Sequence, residues 1–410
     1  MRWPSPISPV VVTGLGAVAG MPLGIDRLAE TLRLATVPTS EVHQGAGYHL
    51  PGSARLAVLS GGVNLSEWVS PAMGRRMSMP SKFAVAAARM ALADAGLLDA
   101  EEGTTSVVMS SALGATDFTE RLLRTAMLDG PEAVSPFTFT ESVANAAAAQ
   151  IAIASRAQGP NLTIVQREAG ILTAVGRGAS EIAAGRADRA LVGGVEEMPP
   201  LMHALLDRLE SLARPGDAGG EVARPFDRRR SGFLAAEGAA VLVLESEDRA
   251  RSRGARIRAR IRGFGGAFDP SAPRIGWGRG HVPLAQALRR MLEDASLGPD
   301  DIGRIVSGAS GSIAGDWLEA QTLKAAWQDA PLPPILAPKG VTGQYGGGFL
   351  ASSVLAASDQ EFGATAGFSE PDPELGVVPH PGGQLPLSNV TLVTSLASGG
   401  AASWLLLERT

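Results

Sequence analysis

Short runs of β-branched and other apolar residues recur along the chain, each ending in or near glycine or serine, with alanine-rich stretches between them. Val10-Val11-Val12-Thr13-Gly14, Ser106-Val107-Val108-Met109-Ser110, Arg189-Ala190-Leu191-Val192-Gly193-Gly194 and Ala240-Val241-Leu242-Val243-Leu244-Glu245 form a first group. Continuous rather than alternating apolar runs predict strands buried on both faces, in a sheet covered by helices. The alanine-rich segments 82–95 and 171–184 predict helices, stopped by Gly96 and Gly185. A second group of strands is predicted at 257–261, 302–307, 390–395 and 403–407.

The two groups echo one another. Ala93-Asp94-Ala95-Gly96-Leu97 precedes a strand that leads into Ser110-Ser111-Ala112-Leu113-Gly114. Far down the chain Glu293-Asp294-Ala295-Ser296-Leu297 precedes one that leads into Ser307-Gly308-Ala309-Ser310-Gly311. This predicts a duplication: two similar α/β halves, residues 1–255 and 256–410, forming one body. The Gly-, Pro- and acid-rich segments 214–221 and 371–386 read as surface excursions rather than linkers.

Composition narrows the function. The chain has 410 residues, 45% of them hydrophobic, enough for two substantial cores. A net charge of −5 with 19% charged residues gives no broad field for nucleic acid. Arg228-Arg229-Arg230 and the arginines of 249–262 read as solvated or salt-bridged faces, the alternative for the first run being a patch for an acidic partner. There is no cysteine, which removes disulfides, thiolate metal sites and a cysteine nucleophile together. His43, His49, His203, His281 and His380 lack metal-ligand spacing and read as surface or loop residues. The start, Met1-Arg2-Trp3-Pro4, opens no apolar leader, and no run approaches the ~20 apolar residues of a membrane helix. A soluble cytoplasmic protein is expected.

Ordered motifs then give the chain a likeness. Arg224-Pro225-Phe226-Asp227, Gly232-Phe233 and Glu237-Gly238-Ala239 before the strand 241–245 resemble a signature of β-ketoacyl synthases. Val11 to Gly16 resembles their first strand and turn. Ala187-Asp188 with Gly193-Gly194-Val195-Glu196 resembles the strand after their nucleophile helix. Gly315-Asp316 with Glu319-Ala320, and Ala337-Pro338-Lys339 with Thr342-Gly343, resemble two further motifs. The resemblance spans nearly the whole chain in order. It implies a thiolase-like fold, two duplicated α/β halves in a layered α-β-α-β-α body.

Condensing members of that family use one cysteine, at a helix N-terminus whose dipole favours thiolate, and two histidines that stabilise enolate and oxyanion. By the same alignment of motifs, the cysteine position falls on Glu168, the first histidine on Gly308 and the second on Gln344. A carboxylate cannot replace a thiolate in a stable thioester, glycine has no side chain, and an amide does not titrate. The plain reading of Glu168 is a carboxylate at a helix N-terminus, stabilised by roughly 0.3–1 kcal/mol. Lys339 and Glu319 match a lysine and a glutamate that pair in the family. No condensation by this chain alone is expected.

That pattern resembles the chain length factor, the inactive partner of the ketosynthase in type II polyketide synthases, although those partners usually carry glutamine where Glu168 stands. The likeness implies a heterodimer with an active ketosynthase, no cofactor of its own, and a phosphopantetheine-bound substrate delivered by an acyl carrier protein. No nucleic acid and no membrane are expected as partners. The segment 114–123 resembles the helix lining the polyketide tunnel, with gate positions at Thr116, Thr119 and Leu123. Small or aliphatic residues there imply a gate shaped for a reduced or polyene chain, the alternative being an amphipathic interface helix. Thr140 to Asn145 falls where ketosynthases border the dimer interface and tunnel. Two other functions fit the sequence: a malonyl-carrier-protein decarboxylase supplying starter units, and a homodimeric acyl-binding scaffold.

Overall fold

A ten-stranded sheet organises the chain. In chain order its strands are β1 (Val10–Ala19), β2 (Thr105–Ser110), β3 (Asn161–Ile164), β4 (Arg189–Glu196), β5 (Gly238–Ser246), β6 (Ala259–Phe268), β7 (Arg304–Ser307), β8 (Ile335–Leu336), β9 (Val390–Leu396) and β10 (Ala401–Glu408). The main helices are α1 (Met79–Asp94), α2 (Thr116–Leu128), α3 (Ala146–Ala154), α4 (Gly170–Ala183), α5 (Pro200–Arg208), α6 (His281–Asp294), α7 (Ile313–Ala326) and α8 (Gly346–Ala357). The structure is a computed structural model and describes residues 9–19, 23–43, 47–60, 62–100, 103–215, 220–358 and 360–410. The start Met1 to Pro4, and 216–219 within the 214–221 excursion, lie outside the described residues.

The duplication is written in the strand order, β8-β7-β9-β10-β6-β1-β5-β4-β2-β3. Counted outward from the β1–β6 junction, each side runs through the first, fifth, fourth, second and third strand of its own set. Orientation repeats as well. β2 pairs in parallel with β3 and β4, while β5 is antiparallel to β4 and β1. β7 pairs in parallel with β8 and β9, while β10 is antiparallel to β9 and β6. Val10 to Val12 joins the two sides by antiparallel pairing with Ala259 to Ile261.

Among the described residues three large cores and one smaller one fill the layers of this thiolase-like fold. α4 and α8 are packed between the two sides of the sheet, with Leu172, Val175, Phe349 and Val354 in the central core. α1 and α3 cover one outer face, and α6 and α7 the other. Alanine lets α1 approach β1 closely. A Cβ at Gly14 would stand 2.2 Å from the Ala91 carbonyl oxygen, and one at Gly16 2.2 Å from that of Ala87. Packing this tight has no room for a methyl group, so these strand positions are glycine for space.

The structure corrects two expectations in detail. β6 continues to Phe268, well past residue 261, through Gly263, Gly265 and Gly266. Glycine hides a strand from the apolar pattern, but β10 pairs with this stretch throughout and the Met291 side chain occupies the space over Gly265. His203 is not a surface residue: it is fully buried, with Nδ1 2.9 Å from His49 Nε2 and Nε2 3.3 Å from the Leu56 carbonyl oxygen. Burial pushes its pKa down, which favours the neutral ring. The arginine runs are salt-bridged: Arg230 to Asp372 at 2.5 Å, Arg253 to Glu245 at 2.5 Å, and Arg260 to Glu247 and Glu408 at 2.8 and 2.7 Å. Among the described residues no helix is long and apolar enough to cross a membrane.

Candidate functional site

Glu168 stands in the 3₁₀ turn Arg167–Ala169 that leads from β3 into α4. Arg167 holds φ at +46°, a strained value for a residue with a side chain. Its guanidinium anchors the turn, donating to Ser398 Oγ at 2.5 Å and to the Ser398 carbonyl at 3.1 Å. Ser398 N–H donates in turn to Glu168 Oε2 at 3.2 Å, and Ser395 Oγ to the Glu168 carbonyl at 2.7 Å. The start of α4 in the first half is thereby tied to the β9–β10 loop of the second.

Lys339 and Gln344 close the other side, on the segment before α8. Lys339 is buried, its ammonium 5.0 Å from the centre of the Phe349 ring. Burial pushes its pKa down, against the charges of Glu168, Glu319 and Asp316. Gln344 is fixed by its backbone N–H, which donates to the Leu234 carbonyl at 2.8 Å, while its side-chain Oε1 is buried without a partner. Glu168, Lys339 and Gln344, far apart in sequence, thus line one cavity of about 360 Å³. Its apolar wall is Met198, Met202, Leu205, Leu206 and Leu209, on and around α5, with Phe233.

Gly308 and Glu319 lie off this cavity. Glu319 is buried and accepts from Ser307 Oγ at 2.7 Å, from Gly308 N–H at 3.2 Å and from Thr394 Oγ1. Burial raises its pKa. Lys339 and Glu319 act on one another by charge, but among the described residues they form no direct ion pair; the three hydrogen bonds to Glu319 all go to Oε1, from the ends of β7 and β9. A Cβ at Gly308 would lie 2.9 Å from the Thr394 carbonyl oxygen, so the backbone leaves no place for a side chain there.

Thr116, Thr119 and Leu123 share α2, none of whose residues is buried. Thr116 Oγ1 donates to Glu197 Oε1 at 3.1 Å, and Thr119 Oγ1 to the Ala115 and Ser142 carbonyls at 2.9 and 3.1 Å. Leu123 is 52% exposed, in company with Met127, Leu128, Phe137 and Phe139. None of the three lines the cavity that holds Glu168.

Two residues without an assigned role stand out in the structure. Glu196 lines the cavity and accepts from Leu113 N–H at 3.1 Å, from Ser111 Oγ at 3.3 Å and from Ala112 N–H. Glu197 takes the Asp117 N–H at 2.7 Å and so caps α2, whose own N-cap residue, Ala115, has no side chain to do so. Burial pushes each pKa up to about 7. Two adjacent carboxylates closing an apolar strand were the signal available in sequence.

The lining offers neither thiol nor imidazole. A carboxylate attacking a thioester would form an anhydride, not the acyl-enzyme that condensation needs. Among the described residues no group of three or more His, Asp or Glu side chains is placed to hold a metal ion.

Comparison with known proteins agrees with this architecture. Residues 8–250 match the family described as β-ketoacyl synthase, N-terminal domain, and residues 261–358 the β-ketoacyl synthase, C-terminal domain. The tetracenomycin polyketide synthase ketoacyl synthase beta subunit of Streptomyces glaucescens is 31% identical, with 98% of each chain covered. The 3-oxoacyl-(acyl-carrier-protein) synthase 2 of Vibrio cholerae is 29% identical over 87% of this chain and 89% of that one. A solved structure described as the ishigamide ketosynthase/chain length factor superposes with a TM-score of 0.87 at 27% identity, covering 98% of this chain and 99% of the other.

Proposed function

The chain belongs to the β-ketoacyl synthase family, and on that premise we propose that it is a chain length factor: a non-condensing subunit that pairs with an active ketosynthase in a type II polyketide synthase. One observation carries the reading. The turn at the start of α4, where the family places its nucleophile, presents Glu168 in a chain without a single cysteine. Gly308 and Gln344 supply no histidine at the other two positions. The likeness to a ketoacyl synthase beta subunit and to a ketosynthase/chain length factor supports the same reading.

An unpartnered surface fits a subunit role. β3 is the last strand of the sheet, so one of its edges is unpaired among the described residues. Near it in sequence Ile153 is 70% exposed and Val165 62%, and Phe137 and Phe139 are exposed on the helix that packs against α2. Exposed apolar side chains beside a free edge strand are a liability in a monomer and an asset in an obligate dimer. In this reading α2 faces the shared tunnel, with Thr116, Thr119 and Leu123 at the gate, and the division near residue 255 separates the two duplicated halves. The polyketide is carried on the phosphopantetheine arm of an acyl carrier protein.

Co-expression with an intact ketosynthase from the same gene neighbourhood tests the proposal. A one-to-one complex is expected, with condensation activity that depends on the partner's cysteine. A homodimer that ignores the ketosynthase would favour the scaffold function. Carbon dioxide release from malonyl carrier protein by the isolated chain, abolished by Glu168→Ala, would favour the decarboxylase.

A further inference from the structure

β4 begins at Arg189 and ends at Glu196, so its two ends lie about 23 Å apart at ~3.3 Å per residue. Glu196 faces the cavity described above. At the opposite end of the strand a second, separate cavity of about 530 Å³ opens between the end of α1, the turn after it and the end of α3. Arg189 lines it, as do Arg89, Arg156, the leucines 92, 97 and 98, and one carboxylate, Asp99.

The arginines give this cavity its chemistry. Arg189 is only 3% exposed, yet its Nε has no partner, and among the described residues its guanidinium forms no hydrogen bond or ion pair. The carboxylates acting on it are Glu245 and Asp188, and both are engaged elsewhere. Glu245 pairs with Arg253 at 2.5 Å, and Asp188 with Arg249 at 3.2 Å. Arg89, partly buried on α1, is in the same condition, with an unpartnered buried Nε. Arg156 already holds a contact of its own, so the count rests on Arg89 and Arg189. Burial and the neighbouring Arg249 push the Arg189 pKa down, the direction a bound anion would reverse. A buried guanidinium stays charged, and leaving it unpaired is costly.

We propose that this cavity is an anion site that takes the phosphate of a small phosphorylated molecule between Arg89 and Arg189, with the organic part against Leu92, Leu97 and Leu98. The planar guanidinium fork suits a phosphate's oxygens, and the volume is that of a small-molecule pocket rather than a lone ion. Its place at the far end of β4 keeps it apart from any acyl chain bound near Glu168.

The test uses the full-length protein in phosphate-free buffer at constant ionic strength, in the complex in which it purifies. Inorganic phosphate and phenyl phosphate are titrated against it, by thermal melt and by calorimetry. Both should raise Tm saturably, phenyl phosphate at lower concentration. Arg189→Met and Arg89→Met should each weaken binding at least about tenfold, as for loss of a charge-assisted contact. Without phosphate, Arg189→Met should melt at or above wild type, because an unpaired buried charge has gone. Should Arg189→Met not fold, the partly exposed Arg89 still tests the site. The absence of a saturable response, or an equal response in wild type and Arg89→Met, overturns the proposal. So does a response seen only in the Asp99→Asn variant, which would make the carboxylate in the cavity's own lining the occupant.

Discussion

Replacing Gly308 with alanine puts a Cβ 2.9 Å from the Thr394 carbonyl oxygen and 3.2 Å from the Ser395 Cα. Both are backbone atoms of β9, which is paired on one side with β7 and on the other with β10, so no rotamer change can clear them. Overpacking of this kind costs about 1–3 kcal/mol. At ~2.1 cal/mol/K per residue, unfolding 410 residues carries an entropy of about 0.86 kcal/mol/K. Gly308→Ala should therefore lower Tm by about 1–3.5 °C, and Gly308→His by more, since the ring must also pass β9. The shift would also strain the Gly308 N–H contact to Glu319 at 3.2 Å. It follows that the triple variant Glu168→Cys, Gly308→His, Gln344→His should not regain condensation, because its first histidine, at position 308, cannot be seated without moving β9. Scanning calorimetry of the purified complex reads the first effect. Acylation and condensation assays, with the partner's own cysteine removed, read the second. A Gly308→Ala protein melting at or above wild type, or a triple variant that condenses, would refute the reasoning.

Further outcomes concern the carboxylates and α2. Glu168→Ala removes the acceptor of the Ser398 N–H and should cost about 0.5–1.5 kcal/mol of stability by denaturant titration, with no change in carbon dioxide release. Glu197, with its folded pKa raised to about 7, favours the folded state when protonated. Its contribution is full below the unfolded value near 4.5 and is lost as pH rises to about 7, an effect of about 3 kcal/mol or less. Glu197→Gln should flatten that slope between pH 4.5 and 7 while still accepting from Thr116 and Asp117; an unchanged slope would assign it to other groups. Leu123→Trp, at a half-exposed position, should change the stability of the isolated chain by less than about 0.5 kcal/mol. In the reconstituted complex it should shift products to shorter chains by mass spectrometry. Lower total activity with an unchanged length distribution would leave α2 as packing alone.

Much of this protein is determined locally and is visible in sequence. β1, β2, β4, β5 and β9 announce themselves because a strand covered on both faces must be apolar throughout. The echo of residues 93–97 at 293–297 is real architecture, since the two strand sets repeat one order and one pattern of orientation. The absence of a cysteine nucleophile is likewise a matter of residue type, because no fold supplies a thiolate to a chain without cysteine. What needed tertiary structure is whatever depends on who stands opposite whom. β6 runs on through three glycines because β10 pairs with it, and His203 is buried because His49 and the Leu56 carbonyl receive it. Glu168, Lys339 and Gln344 meet in one cavity, whereas Gly308 and Glu319, equally prominent in sequence, turn away from it. The raised pKa values of Glu196 and Glu197, and a buried Arg189 guanidinium left without a partner among the described residues, exist only once burial has stripped these charges of water. Residue type sets which reactions are open to a chain, but desolvation and neighbouring charge belong to positions in space, and they are fixed only when distant segments pack together.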